Sequence, residues 1–233
     1  MAKIQMTLRW FGKDHDTVTL KQIRQIPGVK GIITSLFDIP PGEIWPKERI
    51  RRLAQEAESE GLIIAGIESL NIHDSIKDGS KERDRYIENY RISLRNLGES
   101  GIKLVCYNFM PVFDWTRTEL ARRRPDGSTV MAYDQEIIDA TAGSAMFSRM
   151  DGESGGFALP GWEPERLKRI EELFDVYRTM DEGTLINNFR YFLEAILPVC
   201  ETYGIRMAVH PDDPAWPVFG LPQPAHRQRH ATC

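Results

Sequence analysis

Cysteine is scarce in this chain. Cys106, Cys200 and Cys233 are odd in number, widely scattered and in no close ligand spacing, so neither a disulfide frame nor a thiolate metal cluster is expected. Long apolar runs are missing too. Charge-free stretches such as Leu62 to Ile67 and Ala195 to Cys200 span six residues, against the roughly 18 that a membrane helix needs. Lys3 and Arg9 interrupt the N-terminus before the apolar region of a signal peptide could form. No membrane partner and a cytoplasmic address are therefore expected. There is no basic excess: 30 Lys and Arg stand against 34 Asp and Glu, for a net charge of −4. A dedicated nucleic-acid binder would show the opposite balance.

What is present is the composition of an ordinary folded domain, 41% hydrophobic and 27% charged over 233 residues. Five nearly continuous apolar runs recur along the chain: Met6 to Phe11, Gly31 to Phe37, Leu62 to Ser69, Ile102 to Met110 and Ile205 to His210. Parallel strands buried on both faces have this character. Between them the spacing predicts helices over Thr19 to Gln25, capped by Thr17 or Thr19, and over Pro46 to Ser59, with Pro in the first turn. Further helices are predicted over Asp84 to Gly98, Pro164 to Met180 and Thr184 to Tyr203. The reading is βα, five times over.

A repeated βα unit makes either an open doubly wound sheet or a closed barrel, and no Gly-rich dinucleotide turn follows the first strand. An α/β fold of the (β/α)8 TIM-barrel kind is the better reading. At about 47 residues per unit, eight units would need about 370 residues, so the expectation is an incomplete barrel of about five units. Residues 1–222 form one partial barrel domain on this reading, with a lid-like insertion at 112–162 and a polar tail at 223–233. Within the insertion, Arg122 to Gly127 reads as an exposed turn and Ile137 to Phe147 as a short helix.

In such folds the chemistry sits where an apolar strand turns polar at its C-terminal end. The first strand ends in Arg9-Trp10-Phe11-Gly12, the third in Glu68-Ser69 and then His73-Asp74, the fourth in Tyr107-Asn108, the fifth in His210-Pro211-Asp212-Asp213. His210 offers imidazole nitrogens to a divalent metal or a substrate oxygen; as a lone histidine it could equally cap a strand. His73 could touch substrate or exchange a proton, or sit beside a helix-capping Asp74. Asn108 could bond a polyol hydroxyl or neighbouring backbone. Trp10 and Trp115 could wall a pocket, although rim aromatics more often pack. Cys106 reads as core.

The strings Leu8-Arg9-Trp10-Phe11-Gly12, Gln22 to Val29, Cys106 to Thr118, Leu159 to Pro164 and Met207 to Pro214 resemble the mannonate dehydratase family over about residues 4 to 222. The resemblance implies a metal-dependent barrel of the xylose-isomerase-like kind that converts D-mannonate to 2-dehydro-3-deoxy-D-gluconate in glucuronate catabolism. It implies Fe(II) or Mn(II) as cofactor, with His210 as a metal ligand beside a cysteine, a second histidine and an aspartate from later strands. Trp10, His73, Asn108 and Asp213 are pocket residues by position, and the acid and base residues are not identified. The partner is a small sugar acid, and homo-oligomerisation of a full-length protein stays open. The tail from Gln223 to Cys233 looks like a frameshifted or truncated end, so the chain alone is expected to be inactive, and Cys233, His226 and His230 are not taken for the missing ligands. The alternatives are another divalent-metal barrel enzyme, such as a sugar isomerase, and a non-catalytic fragment.

Overall fold

The expected apolar runs become strands in the computed structural model, which describes residues 4–141, 145 and 169–223. In chain order they are β1 (Met6–Arg9), β2 (Val29–Thr34), β3 (Ile63–Glu68), β4 (Leu104–Tyr107) and, after a long excursion, β7 (Arg206–Val209). They form one parallel sheet in the order β1-β2-β3-β4-β7, so each strand lies beside its predecessor in the sheet. The α/β character with a parallel sheet is thus present. Among the described residues β1 and β7 are the edges of that sheet.

The connecting helices follow from capping and periodicity. Thr19 caps α1 (Leu20–Arg24) in a reciprocal box with Gln22. Pro46 is the N-cap of α2 (Lys47–Ser59), one position before the first-turn place predicted for it. A four-residue helix, α3 (Asp74–Lys77), escaped the sequence reading. In α4 (Arg83–Glu99), Tyr90, Leu94 and Leu97, spaced by four and three, are buried along one face, while Tyr86 is only half-buried. The polar residues of α4 are used as well: Asn89 Nδ2, Ser93 Oγ and Asn96 Nδ2 bond the backbone of Gly42 and Trp45 across about 50 residues of chain. Gly98 lies inside the last turn of α4, where a Cβ would come 2.5 Å from that of Tyr203. The left-handed turn falls to Gly101, at φ +83°.

The chain divides into two compact units, Met1–Asn108 with Asn188–His210, and Phe109–Asn187 with Pro211–Cys233. The first holds the parallel sheet. One side of its N-terminal part is a core of Trp10, Leu20, Ile23, Val29, Ile32, Ala57 and Leu62, with Leu8, Leu53 and Ile64 packed against it. Each large side chain so buried contributes about 1.5–3 kcal/mol. The second unit contains a feature the sequence reading did not foresee, the antiparallel hairpin β5 (Glu119–Arg123) and β6 (Thr129–Ala132) flanking the predicted turn. Its other helices are α5 (Gln135–Asp139) and α6 (Ile170–Arg178), and Phe113, Phe174 and Phe219 form an aromatic cluster with centroids 5.7–6.1 Å apart. Helix α7 (Glu182–Tyr203) runs from this unit into the first.

Two expectations are corrected. The helix predicted over Ile137 to Phe147 is α5, which starts at Gln135 and ends at Asp139 where Thr141 Oγ1 turns back to the Ile137 carbonyl. Residues 142–144 and 146–147 of that prediction lie outside the described residues. The reading of βα five times over also holds for four units among the described residues, where β7 leads into Pro211 and no helix follows it. Most of the 112–162 insertion beyond residue 141, the glycine-rich Asp151 to Gly156, the start of the helix predicted from Pro164, and the tail from residue 224 lie outside the description too. No helix among the described residues is long and apolar enough to cross a membrane.

Candidate functional site

Successive residues of a strand face opposite sides of its sheet, and β1 uses this to separate packing from chemistry. Trp10, just after β1, is buried in the core, where its Nε1 donates to the Val18 carbonyl at 3.1 Å. Arg9, one residue earlier, turns to the other face. There it meets Glu68, the last residue of β3, with Nη1 3.0 Å from Oε2. The pair reaches across β2, which lies between β1 and β3. The guanidinium carbon also stands 4.9 Å from the centre of the Phe11 ring and 5.7 Å from that of Phe37.

This arrangement is electrostatically unusual. Burial lowers the Arg9 pKa from its ordinary value, with Glu68 and Cys106 acting the other way. Its Nε and Nη1 are buried without an aligned hydrogen-bond acceptor, so the contact with Glu68 is one of charge more than of hydrogen bonding. Glu68 pairs in register with Cys106 of β4, whose thiol is pushed up first by burial and then by the Glu68 carboxylate. Two other buried polar atoms at strand ends also lack hydrogen-bond partners, Thr34 Oγ1 at the end of β2 and Asn108 Oδ1 after β4. Buried polar atoms are normally paired, so an accumulation of exceptions at one end of a sheet points to a functional end.

Of the sequence-predicted site residues in the first unit, Trp10 lies in the core and Asn108 is buried just past β4. His73 takes the cap position that the sequence reading offered to Asp74: its Nδ1 accepts from the Ser75 amide at 3.1 Å, and Asp74 is the first residue of α3. The imidazole stacks on Tyr86 at 3.6 Å, a packing that needs Gly42, since a Cβ there would come 2.5 Å from the Tyr86 ring. His210 follows β7, its amide bonded to the Tyr107 carbonyl at 2.7 Å. No three His, Cys, Asp or Glu side chains among the described residues are placed to hold a metal ion. The described residues therefore do not make a complete Fe(II) or Mn(II) shell.

Asp213 belongs to the second unit and is held firmly. Arg117 forks onto it, Nη1 to Oδ1 and Nη2 to Oδ2, both at 2.7 Å, while Nη1 also donates to the Thr116 carbonyl. The Thr116 amide returns a bond to the Asp213 carbonyl at 3.0 Å, and the Asp213 amide donates to Met110 Sδ. Sequence reasoning assigned no role to Arg9, Glu68 or Arg117. The available signal was a charged residue closing an apolar strand, which Arg9 and Glu68 both show.

Comparison with known proteins agrees with the strand-end strings. The profile of the D-mannonate dehydratase family matches residues 4–229. The chain is 62% identical over 218 residues to a mannonate dehydratase of Brachyspira hyodysenteriae, covering 94% of this chain and 61% of that protein. To the mannonate dehydratase of Geobacillus thermodenitrificans it is 54% identical over 220 residues, covering 94% and 59%. The crystal structure of mannonate dehydratase from Streptococcus suis serotype 2 superposes with a TM-score of 0.79 at 42% identity, covering 95% of this chain and 57% of that one. The chain thus spans about three-fifths of the length of the curated relatives it matches. With a family profile matching nearly its whole length, the chain belongs to the D-mannonate dehydratase family.

Proposed function

We propose that this chain serves the hydro-lyase reaction of its family, the loss of water from D-mannonate to give 2-dehydro-3-deoxy-D-gluconate, in the catabolism of glucuronate in the cytoplasm. The observation that carries the reading is the 62% identity over 218 residues with a mannonate dehydratase. The reaction takes a proton from the carbon beside a carboxylate and expels hydroxide from the next carbon. Both need a site where charge is stabilised and water is controlled. The polar ends of a parallel sheet are such a place, and the neighbour-by-neighbour order of the five strands supports the reading that they are an arc of a (β/α)8 barrel.

Fe(II) or Mn(II), with His210 among its ligands, belongs to the same proposal, as does the pocket membership of His73 and Asn108, whereas Trp10 is taken up by the core. Because the described residues do not complete a metal shell, no chemical step is assigned to the ion, and the 233-residue polypeptide by itself is expected to be inactive. The test pairs that polypeptide with a chimera in which it replaces the corresponding residues of the Brachyspira hyodysenteriae relative. The chimera is expected to form 2-dehydro-3-deoxy-D-gluconate with Fe(II) or Mn(II) and to lose activity on chelation or on His210→Ala. Isomerisation of aldoses in place of mannonate dehydration would overturn the substrate, and turnover surviving exhaustive chelation would overturn the metal.

A further inference from the structure

We propose that Glu68 is a hydroxyl-accepting contact for a polyol chain at the end of the parallel sheet, and that Arg9 is its positioning residue. Three observations converge on it. Glu68 closes β3 on the face opposite the Trp10 core, and its side chain stays 40% exposed while Arg9 holds one of its oxygens. Arg9 is the more buried partner, at 24% exposure, and is wedged against the rings of Phe11 and Phe37, so the carboxylate faces outward from a rigid base. Buried polar atoms without hydrogen-bond partners lie on Arg9 itself and on Asn108, which follows Cys106 by two residues and so falls on the face of the sheet that Glu68 and Cys106 share.

The pairing of charges selects the class of ligand. Glu68 and Arg9 together are neutral, so a free anion meets the exposed carboxylate and is repelled, while a cation is repelled by the guanidinium 3.0 Å behind it. A hydroxyl suits both groups because it donates to the carboxylate and accepts from another donor at the same oxygen. Charge-assisted hydrogen bonds of this kind are about twice as strong as neutral ones. The inference rests on the sugar-acid reading above and adds to it the residue that reads the hydroxyl chain.

The full 233-residue chain can be titrated with D-mannonate, with D-mannitol, which keeps the hydroxyls without the carboxylate, and with acetate, which does the reverse. Binding is followed by the amide resonances of Glu68, Ser69 and Cys106 and by the side-chain carboxyl carbon of Glu68. Mannitol and mannonate are expected to shift these signals and acetate is not. Glu68→Gln should weaken polyol binding about tenfold, the loss of one charge-assisted bond. Arg9→Met should do the same and displace the Glu68 carboxyl resonance, whereas Arg9→Lys should return binding to within about threefold, a rescue that a purely structural role would not give. Circular dichroism checks that each variant is folded; should Arg9→Met not fold, Glu68→Gln and Arg9→Lys decide the matter. Unchanged affinity in Glu68→Gln, no shift with either polyol, or an equal response to acetate overturns the inference. Failure of the chimera to dehydrate mannonate would overturn the functional reading and leave the mannitol result standing, and a chimera whose KM ignores Glu68→Gln would overturn the inference alone.

Discussion

Arg9 and Arg117 are each paired with one carboxylate far away in sequence, yet the two units treat them differently. In the second unit, Arg117 places both terminal nitrogens on both oxygens of Asp213 at 2.7 Å and gives a further bond to the Thr116 carbonyl. In the first, Arg9 touches Glu68 at a single 3.0 Å contact and leaves Nε and Nη1 without aligned acceptors. Their exposures are similar, 21% for Arg117 and 24% for Arg9, so burial does not explain the difference. Geometry does. A planar fork on a carboxylate is the arrangement in which arginine is most nearly irreplaceable, and it fixes local structure. A guanidinium stacked on rings with spare donors supports a neighbour without being saturated by it.

The sharpest way to break this comparison is to remove each guanidinium while keeping its stem. Arg117→Met should cost about 2 kcal/mol, because it leaves the Asp213 carboxylate half-buried without either fork bond. Arg117→Lys should recover less than half of that, since an ammonium cannot reproduce the fork. Arg9→Met should cost less than about 1 kcal/mol, because Glu68 at 40% exposure can turn to water and the apolar replacement suits Phe11 and Phe37. Urea unfolding of the three variants measures this directly, and equal losses for both Met variants would erase the distinction between a fixed and an unsaturated arginine.

A second contrast comes from the groups that titrate in alkali around the parallel sheet. Burial raises Tyr107 to about 12 and Cys200 to about 11, and pushes Tyr90, whose hydroxyl donates to the Leu70 carbonyl, well above its ordinary value. In each case the folded state keeps a proton that the unfolded chain releases earlier. Their contribution to stability is therefore complete below the unfolded pKa values, near 9 for the thiol and 10 for the phenols, and is lost as pH rises through the folded values. Unfolding midpoints taken from pH 8 to about 12 should fall, and Tyr107→Phe should flatten the fall between about pH 10 and 12. A midpoint that stays constant across that range would show the tyrosines to be solvated in the folded protein.

The strands of the first unit were legible because Ile32, Ile64, Ile67 and Val105 sit in runs with little polar interruption, and a parallel sheet covered by helices demands such runs. The hairpin β5–β6 was not legible. Glu119 to Arg123 is half-exposed and rich in arginine, so it shows neither alternation nor an apolar run, and only the turn between its arms carries a local code. At the candidate site, the change from apolar to polar at Arg9, Glu68, Asn108 and His210 marked the C-terminal ends of the strands. The partnerships did not show. Asp213 reads in sequence as a turn residue before Pro214, and only folding across 96 residues gives it Arg117. His73 reads in sequence as a substrate or proton-exchanging group or as a neighbour of a capping Asp74, and only the fold shows it capping α3 through the Ser75 amide and stacked on Tyr86 beside Gly42.

The smallest expected effect tests the Arg9 and Glu68 pair from the side of its neighbour. Cys106 lies in register beside Glu68, and its thiol is raised mainly by burial, further by the Glu68 carboxylate, and is lowered in turn by Arg9. A negative neighbour opposes thiolate formation and a positive one favours it. Glu68→Gln should therefore move the Cys106 titration down, and Arg9→Met should move it up. Because burial is the leading cause and neither variant alters it, both shifts should be small and of opposite sign. The pH dependence of iodoacetamide alkylation, resolved to the Cys106 peptide by mass spectrometry, reads them without interference from Cys200. Shifts of the same sign would mean that the variants act on Cys106 through packing, and the pair would then not be the electrostatic unit on which the strand-end site depends.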